Sequence, residues 1–201
     1  SGNALHNHHS NCEHSFTPSA QLLSSYVAPN DYKVYAVPTE SPNHGGRTTV
    51  NAPWTSATNA SPYGWHDTNG SSGAEYTITR GTGYSPNSPT LDFNYTINLS
   101  NQPSTYVDAS LTNLFYWNNI MHDIMWQYGF TAAAGNFQEN NYGTGGAGSD
   151  YVLADGQDGS GTNNANFSTP VDGSKPRMQM YLWTSSNTPY LIVNSPSSVQ
   201  G

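Results

Sequence analysis

Thr105-Tyr-Val-Asp-Ala-Ser-Leu-Thr-Asn-Leu-Phe-Tyr-Trp-Asn-Asn-Ile-Met-His-Asp-Ile-Met-Trp-Gln-Tyr-Gly129 is the one long stretch of this chain with a sustained helical period. Leu111, Leu114, Phe115, Met121, Met125 and Tyr128 recur at spacings of three, four or their sum, which puts them on a single apolar stripe. Thr105 with Asp108 three residues on predicts an N-cap and an acid at the positive helix end. Gly129 predicts the stop. A helix is therefore expected over about 105–128.

Everything around it reads as extended. Tyr32-Lys-Val-Tyr-Ala-Val-Pro38 alternates as a strand whose pairing Pro38 should end. Ala74–Thr79 and Thr90–Ile97 predict a second and a third strand, separated by Pro-Asn and Asn-Gly turns. After the helix, Thr131–Ala134 suits a short helix, while Asp150–Ala154 and Arg177–Trp183 suit strands; Tyr190–Val193 opens something new. The fold class expected is α+β: a mostly antiparallel sheet with long loops, packed on one long helix.

Composition narrows the functions. Only 9% of the 201 residues are charged and 12% are aromatic, with 19 Gly and 13 Pro. Disorder couples low hydrophobicity to high charge and few aromatics, so this chain should fold. A net charge of -8 without a basic cluster argues against nucleic acid as a partner. No apolar run reaches the roughly 20 residues that span a bilayer. Cys12, the only cysteine, can form no internal disulfide. The bias toward Asn, Ser, Thr, Gly and Tyr favours a secreted protein.

Several motifs invite chemistry and are better read plainly. Gly143-Thr-Gly-Gly-Ala-Gly148 matches the dinucleotide fingerprint, but it precedes a strand where the fingerprint must open a helix; a flexible loop is expected. His122 has Trp126 and Asn118 four residues to either side, so the helix offers at most one metal ligand, and a buried, hydrogen-bonded His122 is expected. Leu5-His-Asn-His-His-Ser-Asn-Cys-Glu-His14 lacks the spacing of a structural zinc site and reads as a leader. Asp150, Asp155, Asp158 and Asp172 offer oxygen ligands that suit calcium, yet their spacing is not that of an EF-hand, and Asp-Gly turns account for them. Asn163-Asn-Ala-Asn-Phe167 is either a turn or an edge whose main chain and amides align an extended peptide.

Longer segments decide between those two. Asn113–Asp123, Tyr128-Gly-Phe130, Gly135-Asn-Phe-Gln138, Asp158-Gly-Ser-Gly-Thr-Asn-Asn-Ala-Asn-Phe167 and Pro170–Trp183 occur in the order that fungalysin-like peptidases show. The chain thus resembles the fungalysin family of secreted, thermolysin-like zinc metallopeptidases over about residues 32–193. Glu40–Gly45 and Ala60–Gly70 look like its bacterial branch. The resemblance implies the N-terminal lobe of a catalytic domain. Its substrate-binding residues would be Asn164, Ala165, Asn166 and Phe167, its substrate a polypeptide, and its cofactor zinc.

The resemblance also defines what is missing. No His-Glu-x-x-His occurs, so the zinc ligands and the general-base Glu are expected in a remaining C-terminal part of the same peptidase, and this chain alone should be inactive. The passage through Arg80–Gly83 is shorter than in the family, and Leu191–Pro196 resembles the lead into an inserted accessory domain. The expected organisation is a leader over 1–30, the lobe over 31–183 and a linker over 184–201. The competing class is a non-catalytic, self-assembling extracellular subunit derived from peptidase sequence.

Overall fold

A computed structural model describes residues 31–53, 59–67 and 92–183. The expected strand at Ala74–Thr79, the segment Tyr190–Val193, the His-rich segment and the linker lie outside the described residues.

Within them, β1 (Asp31–Val34) and β2 (Thr48–Asn51) pair antiparallel. Helix α1 (Val107–Gln127) follows, then β3 (Leu153–Thr162), β4 (Ala165–Ser168) and β5 (Arg177–Leu182). These last three form a sheet in the order β3-β5-β4, with β3 parallel and β4 antiparallel to β5. The architecture is α+β, as the sequence predicts.

Helix α1 is the wedge between the two sheets. Its first half is buried on every side, from Ala109 through Tyr116. Phe115 and Tyr116 pack with Tyr32, Val34, Trp65 and Phe93 on the β1 side. Leu114 packs with Ala154 and Met180 of the three-stranded sheet, with Val152, Ala165 and Met178 around them. Side chains of this size contribute about 1.5–3 kcal/mol each when fully buried. The rest of the stripe behaves differently: Met121, Met125 and Tyr128 are 37%, 43% and 85% exposed.

The predicted ends of α1 fare unequally. Gly129, at φ +99°, closes the helix in a Schellman arrangement, with Phe130 N–H donating to the Met125 carbonyl and Gly129 N–H to that of Trp126, both at 3.0 Å. Thr105 does not cap the start. It ends a short 3-10 turn (Pro103–Thr105), where its hydroxyl donates to the Gln102 carbonyl at 2.8 Å, and Tyr106 holds the cap position. Asp108 does sit in the first turn.

Two strand predictions are shortened by side chains that take backbone partners. β1 stops at Val34, before Pro38, because Tyr35 N–H donates to Asn113 Oδ1 (2.9 Å), the Tyr35 carbonyl accepts from Trp117 Nε1 (2.9 Å), and Val37 N–H reaches Tyr116 Oη (3.4 Å). Among the described residues of the expected third strand, 92–97, only Phe93 forms a bridge, to Tyr32. The Arg47 guanidinium sits where a longer ladder would run, donating to the carbonyls of Lys33 and Tyr95.

Asn113→Ala should therefore cost about 1–3 kcal/mol, the penalty for stranding the buried Tyr35 amide. Met125→Ala, at an exposed position, should stay within about 0.5 kcal/mol. Urea unfolding of the two variants checks the contrast.

Candidate substrate-binding edge

The sheet has two unlike faces. Ala165 and Phe167 of β4 lie opposite Met180 and Met178 of β5, and Ala154 of β3 opposite Met178, so all five share the face turned to α1. Asn166 and Gln179 point the other way. On that polar face Asn166 Nδ2 donates to Tyr181 Oη (2.6 Å), and Gln179 Nε2 donates to Asp158 Oδ1 (3.1 Å) and Ser160 Oγ (3.0 Å).

Strand β3 occupies sequence that reads as turn. Its pairing with β5 is irregular between Gly156 and Asp158 and again between Asp158 and Thr162, and Gln157 takes φ +50°. Gly161 is there for space: a Cβ would lie 2.9 Å from the Tyr181 ring. Asp155 and Asp158 both serve Arg177, at 2.8 and 3.8 Å. Burial opposes ionisation of Asp158, but hydrogen bonds from Ser160 and Gln179 and the Arg177 charge together hold its carboxyl below the ordinary value.

Asp150 and Asp172 do separate work. Asp150 is fully buried and accepts from Gln138 N–H and Gly173 N–H, each at 3.1 Å. Burial and the neighbouring Asp172 push its carboxyl up, against the pull of those two amides. Asp172 accepts from Ala147 N–H (2.9 Å) and so anchors the glycine-rich loop. That loop is no loose connector. Gly146, at φ +64°, lies so close to the turn at Ala132–Ala134 that a Cβ would come within 2.0 Å of the Ala132 carbonyl oxygen. The four Asp residues are thus divided between an arginine and a loop anchor. Among the described residues no three His, Cys, Asp or Glu side chains gather as a metal would need.

β4 is an edge strand of this sheet, and among the described residues nothing pairs with its outer side. Tyr181 N–H donates to the Asn164 carbonyl at 3.1 Å, which fixes the alternation. Asn164, Asn166 and Ser168 exchange main-chain bonds with β5, whereas the amides and carbonyls of Ala165 and Phe167 point outward. Asn164 Oδ1 accepts from the Ala165 N–H at 2.8 Å. Asn164 and Asn166 are exposed, Ala165 is half-buried, and Phe167 is 43% exposed. None of the four predicted residues is sealed in the interior.

Beside this edge lies a cavity of about 250 Å³ walled by Met121, Met125, Phe130, Phe137 and Phe167. Phe137 sits between Phe130, edge-on at 5.5 Å between centroids, and Phe167, tilted at 6.1 Å. His122 also lines it, in a polar cluster. Its Nδ1 is 3.1 Å from Asp123 Oδ1 and its Nε2 3.0 Å from Gln138 Oε1, so His122 is hydrogen-bonded as expected, but it is only partly buried because it faces the cavity. Asp123 is buried and also accepts from Ser61 Oγ (2.6 Å) and Trp65 Nε1 (2.8 Å), which pins α1 to residues 59–67. Sequence reasoning did not pick out Phe137, Gln138 or Asp123. The only signal was the position of Asp123 beside His122, off the apolar stripe.

Comparison with known proteins gives the class. Residues 31–190 match the profile of the family described as Fungalysin metallopeptidase (M36). The chain belongs to that family. It is 42% identical over 184 residues to extracellular metalloproteinase 2 of Trichophyton tonsurans, a match covering 84% of this chain and 29% of that protein. It is 47% identical over 182 residues to extracellular metalloproteinase mep of Aspergillus flavus, covering 82% and 28%. The chain thus spans less than a third of the length of these relatives. Both are fungal, and the placement in a bacterial branch drawn from Glu40–Gly45 and Ala60–Gly70 has no support from them. Among the described residues no helix is long and apolar enough to cross a membrane.

The sheet electrostatics give a test. Because the Asp158 carboxyl is held low, its contribution is present above the unfolded value of about 3.9 and is lost as pH falls through the lower folded value. The stability gap between the wild type and Asp158→Asn should be level from about pH 5 to 7 and close below about pH 4. Urea midpoints across a pH series measure it.

Proposed function

We propose that this chain is the N-terminal lobe, about residues 31–183, of a secreted zinc metalloendopeptidase, and that it supplies the substrate-aligning edge and one wall of the cleft. The observation that carries this reading is the outward-facing main chain of Phe167 and the outward carbonyl of Ala165 on β4, whose outer side has no partner strand among the described residues and which lies beside an apolar cavity. An extended polypeptide adds to such an edge as a further strand, held by main-chain bonds that are indifferent to its sequence. Asn164 keeps the edge in register by accepting from the Ala165 amide, and its own amide nitrogen and that of Asn166 stand at the exposed margin. Phe167 closes the cavity side.

The family is zinc-dependent, and its metal polarises the scissile carbonyl and activates water when bound. The described residues do not fit that metal, because no set of three ligands is assembled. The zinc ligands and the general base are therefore assigned to the remaining part of the same peptidase, with residues 184–201 as the linker toward it. Secretion follows the relatives, which are named extracellular. The polypeptide substrate follows from the strand edge.

The product of the complete reading frame should cleave an unfolded protein, and a zinc chelator should abolish that cleavage. The 201-residue chain alone should cleave nothing. Asn164→Ala in the complete protein should lower kcat/KM about 10- to 100-fold, as expected for one or two lost hydrogen bonds to an extended substrate, with unfolding unchanged. Chelator-insensitive cleavage, or full activity in the Asn164 variant, would refute the assignment. Self-assembly without cleavage would favour the structural reading.

A further inference from the structure

Strand β4 carries the proposed substrate edge on little support of its own. It is four residues long, and Asn166, Phe167 and Ser168 are all exposed. The chain reaches it by turning around the end of β5, through Asn163 at φ +56°, whose N–H donates to the Leu182 carbonyl at 2.8 Å. A short edge strand held by main-chain bonds alone frays and slips readily, because little packing specifies its register.

Tyr181 grips this strand at two points. Its N–H donates to the Asn164 carbonyl at 3.1 Å, and its hydroxyl accepts from Asn166 Nδ2 at 2.6 Å. The second bond runs across the diagonal, since the residue directly opposite Asn166 is Gln179. On the other side the Tyr181 ring lies against the backbone of β3 at Gly161, where a Cβ would come within 2.9 Å of it. The ring is thus backed by one neighbouring strand while its hydroxyl holds the other.

We infer that Tyr181 is a positioning residue for the edge: its hydroxyl, acting through Asn166, sets the geometry in which β4 receives an extended polypeptide. The Asn166 amide nitrogen carries two hydrogens, and Tyr181 takes one of them. That bond fixes the amide plane, so the second N–H and the carbonyl oxygen stand at the exposed margin with a set direction. It also fixes the face, because a slip of one residue would carry Asn166 to the α1 side and Phe167 away from the cavity. An edge ordered in advance does not have to be ordered by the substrate, which strengthens binding without any new contact. This inference rests on the peptidase reading, and it adds the residue that holds the binding edge in place.

Tyr181→Phe in the complete reading-frame product removes the hydroxyl and keeps the ring. KM for a long peptide substrate should rise about tenfold, with kcat within about twofold and the urea midpoint unchanged, the pattern of binding lost equally from ground and transition states. Asn166→Ala should show a similar rise, and Tyr181→Phe should add nothing to it, because the hydroxyl acts through that side chain. Hydrogen exchange gives a readout independent of cleavage: the main-chain amides of Asn166 and Ser168 should exchange about tenfold faster in Tyr181→Phe. A wild-type KM in Tyr181→Phe, or losses that add in the double variant, would overturn the inference and leave the peptidase assignment standing. A fall in the urea midpoint that accounts for the kinetic loss would make Tyr181 a stabilising residue only, and would overturn it as well. If the wild type cleaves nothing, the peptidase assignment alone falls, and the exchange rates then decide for or against Tyr181.

Discussion

The structure depends on a side-chain ladder that replaces a backbone one. Where β1 gives up its pairing, Asn113, Tyr116 and Trp117 of α1 supply the hydrogen bonds that Tyr35 and Val37 would otherwise find in a neighbouring strand. Burying a peptide group without a partner costs more than most packing contacts return, so these bonds fix where the helix can lie. With that position set, Phe115 and Tyr116 face one sheet and Leu114 faces the other. Asp123 then locks the next turn through Ser61 and Trp65. The open strand edge and its cavity are where they are because the helix is pinned at both of these points.

The sequence carried the helix and the long-range order well, and the reasons are visible in particular residues. A stripe from Leu111 to Tyr128 and a terminating Gly129 are local signals, and both are read correctly from the residues alone. The strand predictions failed wherever a distant side chain decided the outcome. Nothing near Tyr35 announces that Asn113 will take its amide, and nothing near Tyr95 announces Arg47. β3 was expected at Asp150–Ala154 and runs on from Leu153 to Thr162 for another reason: glycines at 156, 159 and 161 read as punctuation, whereas Gly161 is a spacing device under an aromatic ring. The edge itself was legible only because several matched segments around Asn164 to Phe167 reinforced one another. Its cavity was not, because Phe137 and Phe167 meet although they lie 30 residues apart.

The three-stranded sheet separates two tasks by face. The charged and amide side chains Asp155, Asp158, Arg177 and Gln179 tie β3 to β5 on the side away from α1. The methionines, alanines and Phe167 occupy the side that meets the helix. Binding at the edge can therefore draw on main-chain groups whose geometry is set by a polar network elsewhere, and changes in cavity shape need not disturb that network. Precision at a site is easiest to maintain when its supports are held by independent contacts.

The contact between Tyr35 and Asn113 joins positions 78 residues apart. During translation, the amide at Tyr35 therefore leaves the ribosome long before the helix that will receive it has been made. Until then the strands Asp31–Val34 and Thr48–Asn51 lack the helix against which Tyr32 and Val34 are buried. The core that packs on α1 can therefore close only after the helix itself has been made.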